Sequence, residues 1–541
     1  MITARRKASI LAGLAAIFWA HHCSAQSAQK VIDEYARAAG GSRNLAKIQT
    51  VKFDGNLLEK ATGRSGTYTL ILKAPGKLYS EITFVPVLAD SLGGLAQSTE
   101  AYNGISGWRQ DSSAPPRTLT GQEAQQLAAR ATLADSGLLN IKKDKTHAEI
   151  VGRETLTGRP VVRLAFHMGP GVRRDILFDE TTHLIAKEIG VSGGEDTPGE
   201  SSRNLKDNAA TENSARGAPA INEIGSVEFG DYRRVGALME PYRMLLDASG
   251  RNYEITITHV ALDAPVQDSI FDFPGKTDKP LPDIAALLQK VTKNQREIDF
   301  IQRKYTCTAD EEDDEVDDDA NVRKKTTKEY DLFYLGNTQV ERLLKKDGRL
   351  LTPEEKKKED DRIDKEYAEY RKKQEQMTPE KQQKEEAKED KEDQASIAMF
   401  LRVSRFTNPR RERFRARDVI VFDFDANPDY KPKGLVEKFL QKLSGVVWID
   451  EEAADVARLE ARMNAAMKLG GGLFASLQKG SGFVFEQTYV NNEVWLPTYL
   501  EAHFAGRFLL MKGFKENEVT EYSNYRKFEV ETKILSGKPP N

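Results

Sequence analysis

The sequence predicts a mainly β protein of the α+β class, built as two tandem antiparallel sheets with a charged helical insertion in the second. Two observations predict it. Strand-period alternation of apolar and polar residues recurs along both halves. The halves also repeat one order of elements. A helical stretch from Val31 passes through Asn44-Leu45-Ala46-Lys47-Ile48 into the alternating Thr50-Val51-Lys52-Phe53. From Ala286, Leu287-Leu288-Gln289-Lys290-Val291 and Ile298-Asp299-Phe300-Ile301 lead into Lys304-Tyr305-Thr306-Cys307-Thr308. Later, Phe178-Asp179-Glu180 is answered by Ile449-Asp450-Glu451, and Glu240-Pro241-Tyr242 by Leu496-Pro497-Thr498. A repeat far longer than a solenoid unit means two whole domains, not an array.

The chain opens with a targeting segment over residues 1–25. Arg5-Arg6-Lys7 gives a basic start, Ile10 to Ala20 an apolar stretch too short to span a bilayer comfortably, and Cys23-Ser24-Ala25 a cleavage point. His21-His22 stand where a lipidation signal needs small or aliphatic residues. This predicts a periplasmic or secreted protein that is soluble after cleavage and has no stable transmembrane anchor. Without residues 1–25 the chain keeps one cysteine, Cys307, so no internal disulfide can form.

Residues 26–278 form the first predicted domain. Residues 49–111 read as a meander, with strands at Tyr68–Leu72 and Leu78–Phe84 and turns at Ala74-Pro75-Gly76 and Asn103-Gly104. Thr120 with Glu123 is a capping-box signature for a helix to about Leu139, its apolar side Leu127, Ala128, Ala131 and Leu138. Strands follow at His147–Val151, Val161–Phe166, Arg173–Phe178 and Leu184–Ile189. Residues 193–219 are Gly-, Ser-, Asn- and Glu-rich without aromatics and read as a disordered loop. Ile224–Tyr232, Ala237–Leu246 and Tyr253–Val260 complete the set.

A short linker at 279–283 precedes the second domain, 284–541. Asp310 to Asp319 reads as an acidic turn. Residues 353–394 are almost wholly charged or Gln, a helix-forming composition with no broad apolar face, broken near Met377-Thr378-Pro379-Glu380. Asp455 to Met463 has helical composition, but Ala457, Leu459, Ala461 and Met463 alternate with charges, so a strand is predicted. Further strands are expected at Phe483–Val490, Val494–His503, Arg507–Lys512 and Thr520–Val530.

Composition and motifs exclude several functions. Charged residues make up 30% of the chain but the formal net charge is only −3, which gives no reason to expect nucleic acid. No G-x-S-x-G elbow surrounds Ser476, so a hydrolase is the least supported reading. Cys307 lies in a predicted strand with no histidine near it in sequence and reads as a structural thiol. His147, His167, His183, His259 and His503 offer no helical pair for zinc. The acidic run lacks the glycine and ligand alternation of a calcium loop. Gly470–Gly472 and Gly480-Ser481-Gly482 lack the lysine of a phosphate loop. The chain is therefore expected to carry no catalytic, metal or cofactor site. Strand aromatics are the remaining candidates: Tyr102, Trp108, Trp448, Phe483, Phe485, Tyr489 and Trp495, either core or the lining of an apolar groove left open by sparse helical cover.

The order helix, meander, Tyr102-Asn103-Gly104-Ile105-Ser106-Gly107-Trp108, covering helix, then strands through Asp231-Tyr232-Arg233-Arg234-Val235-Gly236 and Ile270-Phe271-Asp272-Phe273-Pro274 resembles the outer-membrane lipoprotein-sorting family, the half-barrels related to LolA, LolB and RseB. Glu486-Gln487 and Trp495-Leu496-Pro497-Thr498-Tyr499 make the second half similar. Asn103 stands where that family often has an aspartate. The resemblance implies two tandem curved antiparallel half-barrels with covering helices, binding lipid or an acylated lipoprotein, without enzymatic activity. Single-domain carriers lack a tandem copy, so an envelope interaction or sensor protein, contacting a protein partner through 353–394, is the second reading.

Overall fold

A computed structural model describes residues 28–85, 96–112, 114–141, 146–169, 172–191, 224–248, 251–275, 279–316, 322–336, 338–378, 380, 399–469, 475–508 and 514–527. The expected leader at 1–25, the expected disordered loop at 193–219 and the stretch 381–394 of the charged insertion lie outside them. The chain divides into two units, Met1–Lys276 and Thr277–Asn541.

The first unit begins with helix α1 (28–38) and the single turn α2 (Ser42–Leu45). A meander follows: β1 (Thr50–Glu59), β2 (Ser65–Lys73), β3 (Lys77–Phe84), β4 (Ala96–Tyr102), β5 (Gly107–Asp111) and β6 (Arg117–Thr118). Helix α3 (Gly121–Leu133) and a 3₁₀ turn (Asp135–Asn140) lead into β7 (His147–Leu156), β8 (Arg159–Gly169), β9 (Val172–Asp179), β10 (Ile185–Val191), β11 (Ile224–Val235), β12 (Leu238–Ala248) and β13 (Arg251–Leu262). All thirteen strands join one antiparallel sheet in the order β6-β5-β4-β3-β2-β1-β13-β12-β11-β10-β9-β8-β7. The first strand thus pairs with the last, Phe53 opposite Val260. The edges β6 and β7 do not pair among the described residues, so the sheet stays an open half-barrel. Alternation sets the faces: β3 buries every second residue, from Leu78 to Phe84. Helix α1 packs Ile32, Tyr35 and Ala36 onto Val162, Leu164, Ile176 and Phe178 of β8 and β9.

The second unit repeats this path. Helix α4 (Ile284–Gln302) is capped by Asp283, which accepts from the N–H of Ala286 at 3.1 Å. The strands are β14 (Tyr305–Val316), β15 (Val322–Leu335), β16 (Thr338–Lys346) and β17 (Arg349–Leu350), then helix α5 (Pro353–Glu375) and a helical segment α6 (399–403). After these come β18 (Ser404–Phe414), β19 (Arg417–Ala426), helix α7 (Leu435–Leu440), β20 (Leu443–Asp450), β21 (Val456–Met463), β22 (Met467–Leu469), β23 (Ala475–Leu477), β24 (Gly482–Val490), β25 (Val494–Phe508) and β26 (Phe514–Lys527). Again the first strand pairs with the last, in the order β17-β16-β15-β14-β26-β25-β24-β21-β20-β19-β18. Helix α4 lays Leu287 and Val291 on Ile420, Phe422, Val447 and Ile449, the counterparts of the α1 contacts. Both sheets are therefore curved, antiparallel and half-open, with helices on one face.

The repeated aspartate closes the same turn twice. Asp179 Oδ1 accepts from the N–H groups of Thr181 and Thr182, both at 2.9 Å. Asp450 Oδ1 accepts from Glu452 at 2.9 Å and Ala453 at 2.8 Å. The fourth residue onward, His183 or Ala454, has positive φ, and the fifth, Leu184 or Asp455, gives its carbonyl to the aspartate N–H. Val161 opposes Asp179 as Val419 opposes Asp450, which also aligns Arg153 with Arg411 and Glu180 with Glu451. Each arginine pairs with its glutamate, at 2.6 and 2.8 Å.

Val456 to Met463 forms the strand predicted over Asp455 to Met463, β21, because the alternating apolar residues need one buried face. Three local expectations are corrected. Thr120 makes no side-chain cap, because Glu123 is drawn to Arg109 and Arg117, and α3 stops at Leu133. Asp310 to Val316 is strand rather than turn, because Lys324, Lys325 and Lys328 on β15 pair across with Glu315, Glu312 and Glu311. Arg507 and Phe508 end β25 instead of starting a strand of their own. In the charged insertion, α5 has the capping box Thr352–Glu355 with Pro353 at its start, and Ile363 is its one buried residue among those described.

Candidate functional site

The helix-bearing face of each sheet is the candidate site. In the first unit, Val51, Phe53, Leu57, Tyr68, Ile82, Phe84, Met244, Leu246, Tyr253 and Ile255 build an apolar cluster across β1, β2, β3, β12 and β13. No helical residue belongs to it among the described residues. Helix α3 lies beside this cluster and touches both arms of the sheet, β3 to β5 on one side and β9 on the other. Its apolar stripe, Leu127, Ala128 and Ala131, meets Leu78, Tyr102 and Leu119.

The rest of that contact is ionic. Arg109, 5% exposed, donates to Glu100 at 3.0 Å and to Glu123 of α3 at 3.0 Å. Arg130 of α3 donates to the other oxygen of Glu100 at 2.8 Å. Burial alone would raise the Glu100 carboxyl, but Arg130 and Arg109 hold it below the ordinary carboxylate range. Glu123 behaves likewise: burial opposes its charge, and Arg117 and Arg109 overcome it. Arg174 on β9 is 3% exposed and reaches Glu188 at 3.4 Å and Gln126 of α3 at 3.5 Å. Burial lowers its guanidinium and Glu188 offsets only part of that. The covering helix is thus held by its apolar stripe together with part-buried ion pairs, which specify position more than they stabilise.

Cross-strand register sorts the sequence-predicted aromatics. Tyr102 is buried on the α3 side, its hydroxyl donating to the Gly104 carbonyl at 3.0 Å. Trp108 opposes Ala101, packs on Phe273, and donates its indole N–H to the Phe271 carbonyl at 3.0 Å. Neighbours on one strand face opposite ways, so Trp108 lies on the side away from α3 and clasps the unit's final segment. In the second unit Phe483 packs with Phe424, Leu443, Ala461 and Met463. Phe485 stands between Leu459 and Leu500 in the same face, half-buried. Trp448, Tyr489 and Trp495 gather in a different cluster with Val419, Val421 and Ala457. Tyr489 and Trp495 have ring centres 5.6 Å apart, and Phe414, which sequence reasoning missed, stacks on Trp495 at 6.1 Å.

Among the described residues no group of three or more His, Cys, Asp or Glu could hold a metal ion. Burial pushes the Cys307 thiol up to about 11, so it is a poor nucleophile. No helix among the described residues is long and apolar enough to cross a membrane.

Fold and site together define a tandem half-barrel protein whose helix-covered sheet faces are its inner surfaces. The chain is similar to several solved structures. A DUF1329 family protein from Desulfovibrio piger is 12% identical, covering 45% of this chain and 97% of its own, with a TM-score of 0.29. A LolA superfamily protein from Nitrosomonas europaea is 15% identical, covering 45% and 96%, with a TM-score of 0.27. MucB of Pseudomonas aeruginosa, solved with MucA, is 9% identical, covering 93% and 100%, with a TM-score of 0.18. No family model matches the chain, and no curated protein matches it either.

Proposed function

We propose that the protein is a non-enzymatic periplasmic binding protein that takes a lipid or the acyl chains of a lipoprotein on the helix-covered face of one or both half-barrels. One observation carries this reading: an apolar cluster built by strands alone lies beside a covering helix that is held by ion pairs as well as by a narrow apolar stripe. Displacing such a helix would break those ion pairs, bare Leu127 and Ala131, and open the sheet face. Each buried acyl CH₂ then contributes roughly 0.8 kcal/mol, so a long chain binds usefully without a charged anchor. In the second unit the matching wall would be Phe485 with Leu459 and Leu500.

A second reading, an envelope protein that engages a protein partner, draws on α5. That helix keeps its charged surface in solvent and holds to β16 through Glu359, which accepts from the N–H of Leu343 at 2.8 Å. Native mass spectrometry of envelope-purified protein, before and after delipidation, separates the two. Co-purified lipid that a fatty-acyl probe can replace supports the first reading. A lipid-free protein that ignores the probe and carries a stoichiometric polypeptide contradicts it.

A further inference from the structure

Helix α4 and the turns β20–β21 and β24–β25 bound a cavity of ≈130 Å³ within the second unit. Asn294 and Ile298 of α4, Asp455 of the first turn, and Tyr489, Glu493 and Trp495 of the second line it. Asp455 is 6% exposed. Its Oδ1 accepts from the N–H of Val456 at 2.7 Å, while Oδ2 has no hydrogen-bond partner among the described residues. A buried carboxylate oxygen without a donor is costly.

The fold does not demand an acid at this place. The turns of Asp179 and Asp450 match bond for bond, and the residue aligned with Asp455 is Leu184, buried in the apolar core of the first unit. The cationic side chains around the cavity are engaged with other acceptors. Arg417 pairs with Asp450 and with Glu452, Lys527 reaches Glu493 at 2.8 Å, and Lys290 donates to the Glu452 carbonyl at 2.7 Å. What faces Asp455 is acidic or neutral: Glu297 and Asp299 from α4, Asp450 from its own turn, and Tyr489 and Glu493 from the hairpin. Burial first, then Asp299 and Asp450, push the Asp455 carboxyl up to about 7.

We infer that this cavity binds the ammonium group of a small aliphatic amine, with the Asp455 carboxylate as its counter-charge. The volume is enough for a short alkylammonium beside the carboxylate. The inference stands apart from the acyl-binding reading, since none of the cavity residues named here belongs to the wall proposed there.

Calorimetric titration of the full chain with ethylammonium chloride, against sodium chloride at equal ionic strength, tests it. One-to-one binding is expected, tightening about tenfold from pH 6 to pH 8 as Asp455 ionises while the amine stays protonated. Asp455→Leu restores the residue of the twin turn and should abolish binding with the fold intact. The near-isosteric Asp455→Asn should weaken binding at least tenfold and remove its pH dependence. Equal binding by both variants, a response matched by sodium chloride, or a wild type that takes up no amine would each overturn the inference and leave a water-filled cavity only.

Discussion

The indole N–H of Trp495 donates to Asp450 Oδ2 at 3.1 Å, so the aspartate that closes the β20–β21 turn is also tied to β25. The Arg417 guanidinium holds the same oxygen. In the first unit the matching Asp179 keeps the turn bonds but has Arg159 only at 3.6 Å. One duplicated device thus carries different loads. Asp450→Ala is expected to destabilise the second unit by about 3 kcal/mol, and Asp179→Ala the first by roughly half that, because the former also strands a buried indole donor and an arginine. Denaturant unfolding of the two variants, with the transition of each unit assigned, checks the order. Equal losses would contradict it.

Asp455 gives a pH dependence with a definite sign. Its folded-state carboxyl is raised to about 7, well above its unfolded value. Below the unfolded value both states are protonated and nothing is lost. As pH rises toward 7 the unfolded chain sheds the proton first, so stability falls, and above about 7 the loss is complete. The linkage is worth about 4 kcal/mol at most. Asp455→Leu should flatten the decline between pH 4 and pH 7 and stabilise the protein at pH 8. A variant with the wild-type profile would show that Asp455 does not titrate as described.

Glu100 balances the buried Arg109 and the partly buried Arg130 of the first unit. Glu100→Gln leaves Arg109 and Arg130 with too little opposing charge and is expected to cost about 3–5 kcal/mol. Glu123→Gln, nearer the surface, should cost about 1–2 kcal/mol and loosen α3. Hydrogen exchange on α3 distinguishes local loosening from global unfolding: faster exchange confined to Gly121–Leu133 is expected for Glu123→Gln.

Much of this architecture is written in the sequence. Alternation gives the strands, including β21, whose composition favours helix, and the repeated Asp179 and Asp450 give the duplicated turn. The acidic strand β14 was legible only together with its partner, because Lys324, Lys325 and Lys328 neutralise it from a different stretch of chain. Face assignment was harder. Trp108 and Tyr102 look alike as strand aromatics, but the first is fixed by a carbonyl 163 residues away and the second by α3. The Glu100–Arg109–Glu123–Arg130 cluster joins two strands and a helix, and no spacing in the sequence announces it.

Phe485 separates lining from core. Both it and Phe483 are half-buried, but it stands between Leu459 and Leu500, whereas Phe483 packs against the Phe424 cluster. Phe485→Asp should weaken an acyl probe at least tenfold with little change in unfolding midpoint, while Phe483→Asp should unfold the second unit. Loss of fold in both would place Phe485 in the core and remove it from the proposed wall.

The most direct measurement is displacement of a fluorescent fatty-acyl probe from the delipidated, folded protein. Saturable binding at about micromolar affinity, reversed by unlabelled lipid and weakened by Phe485→Asp, is the predicted result. A folded protein that binds no probe at either unit would contradict the account.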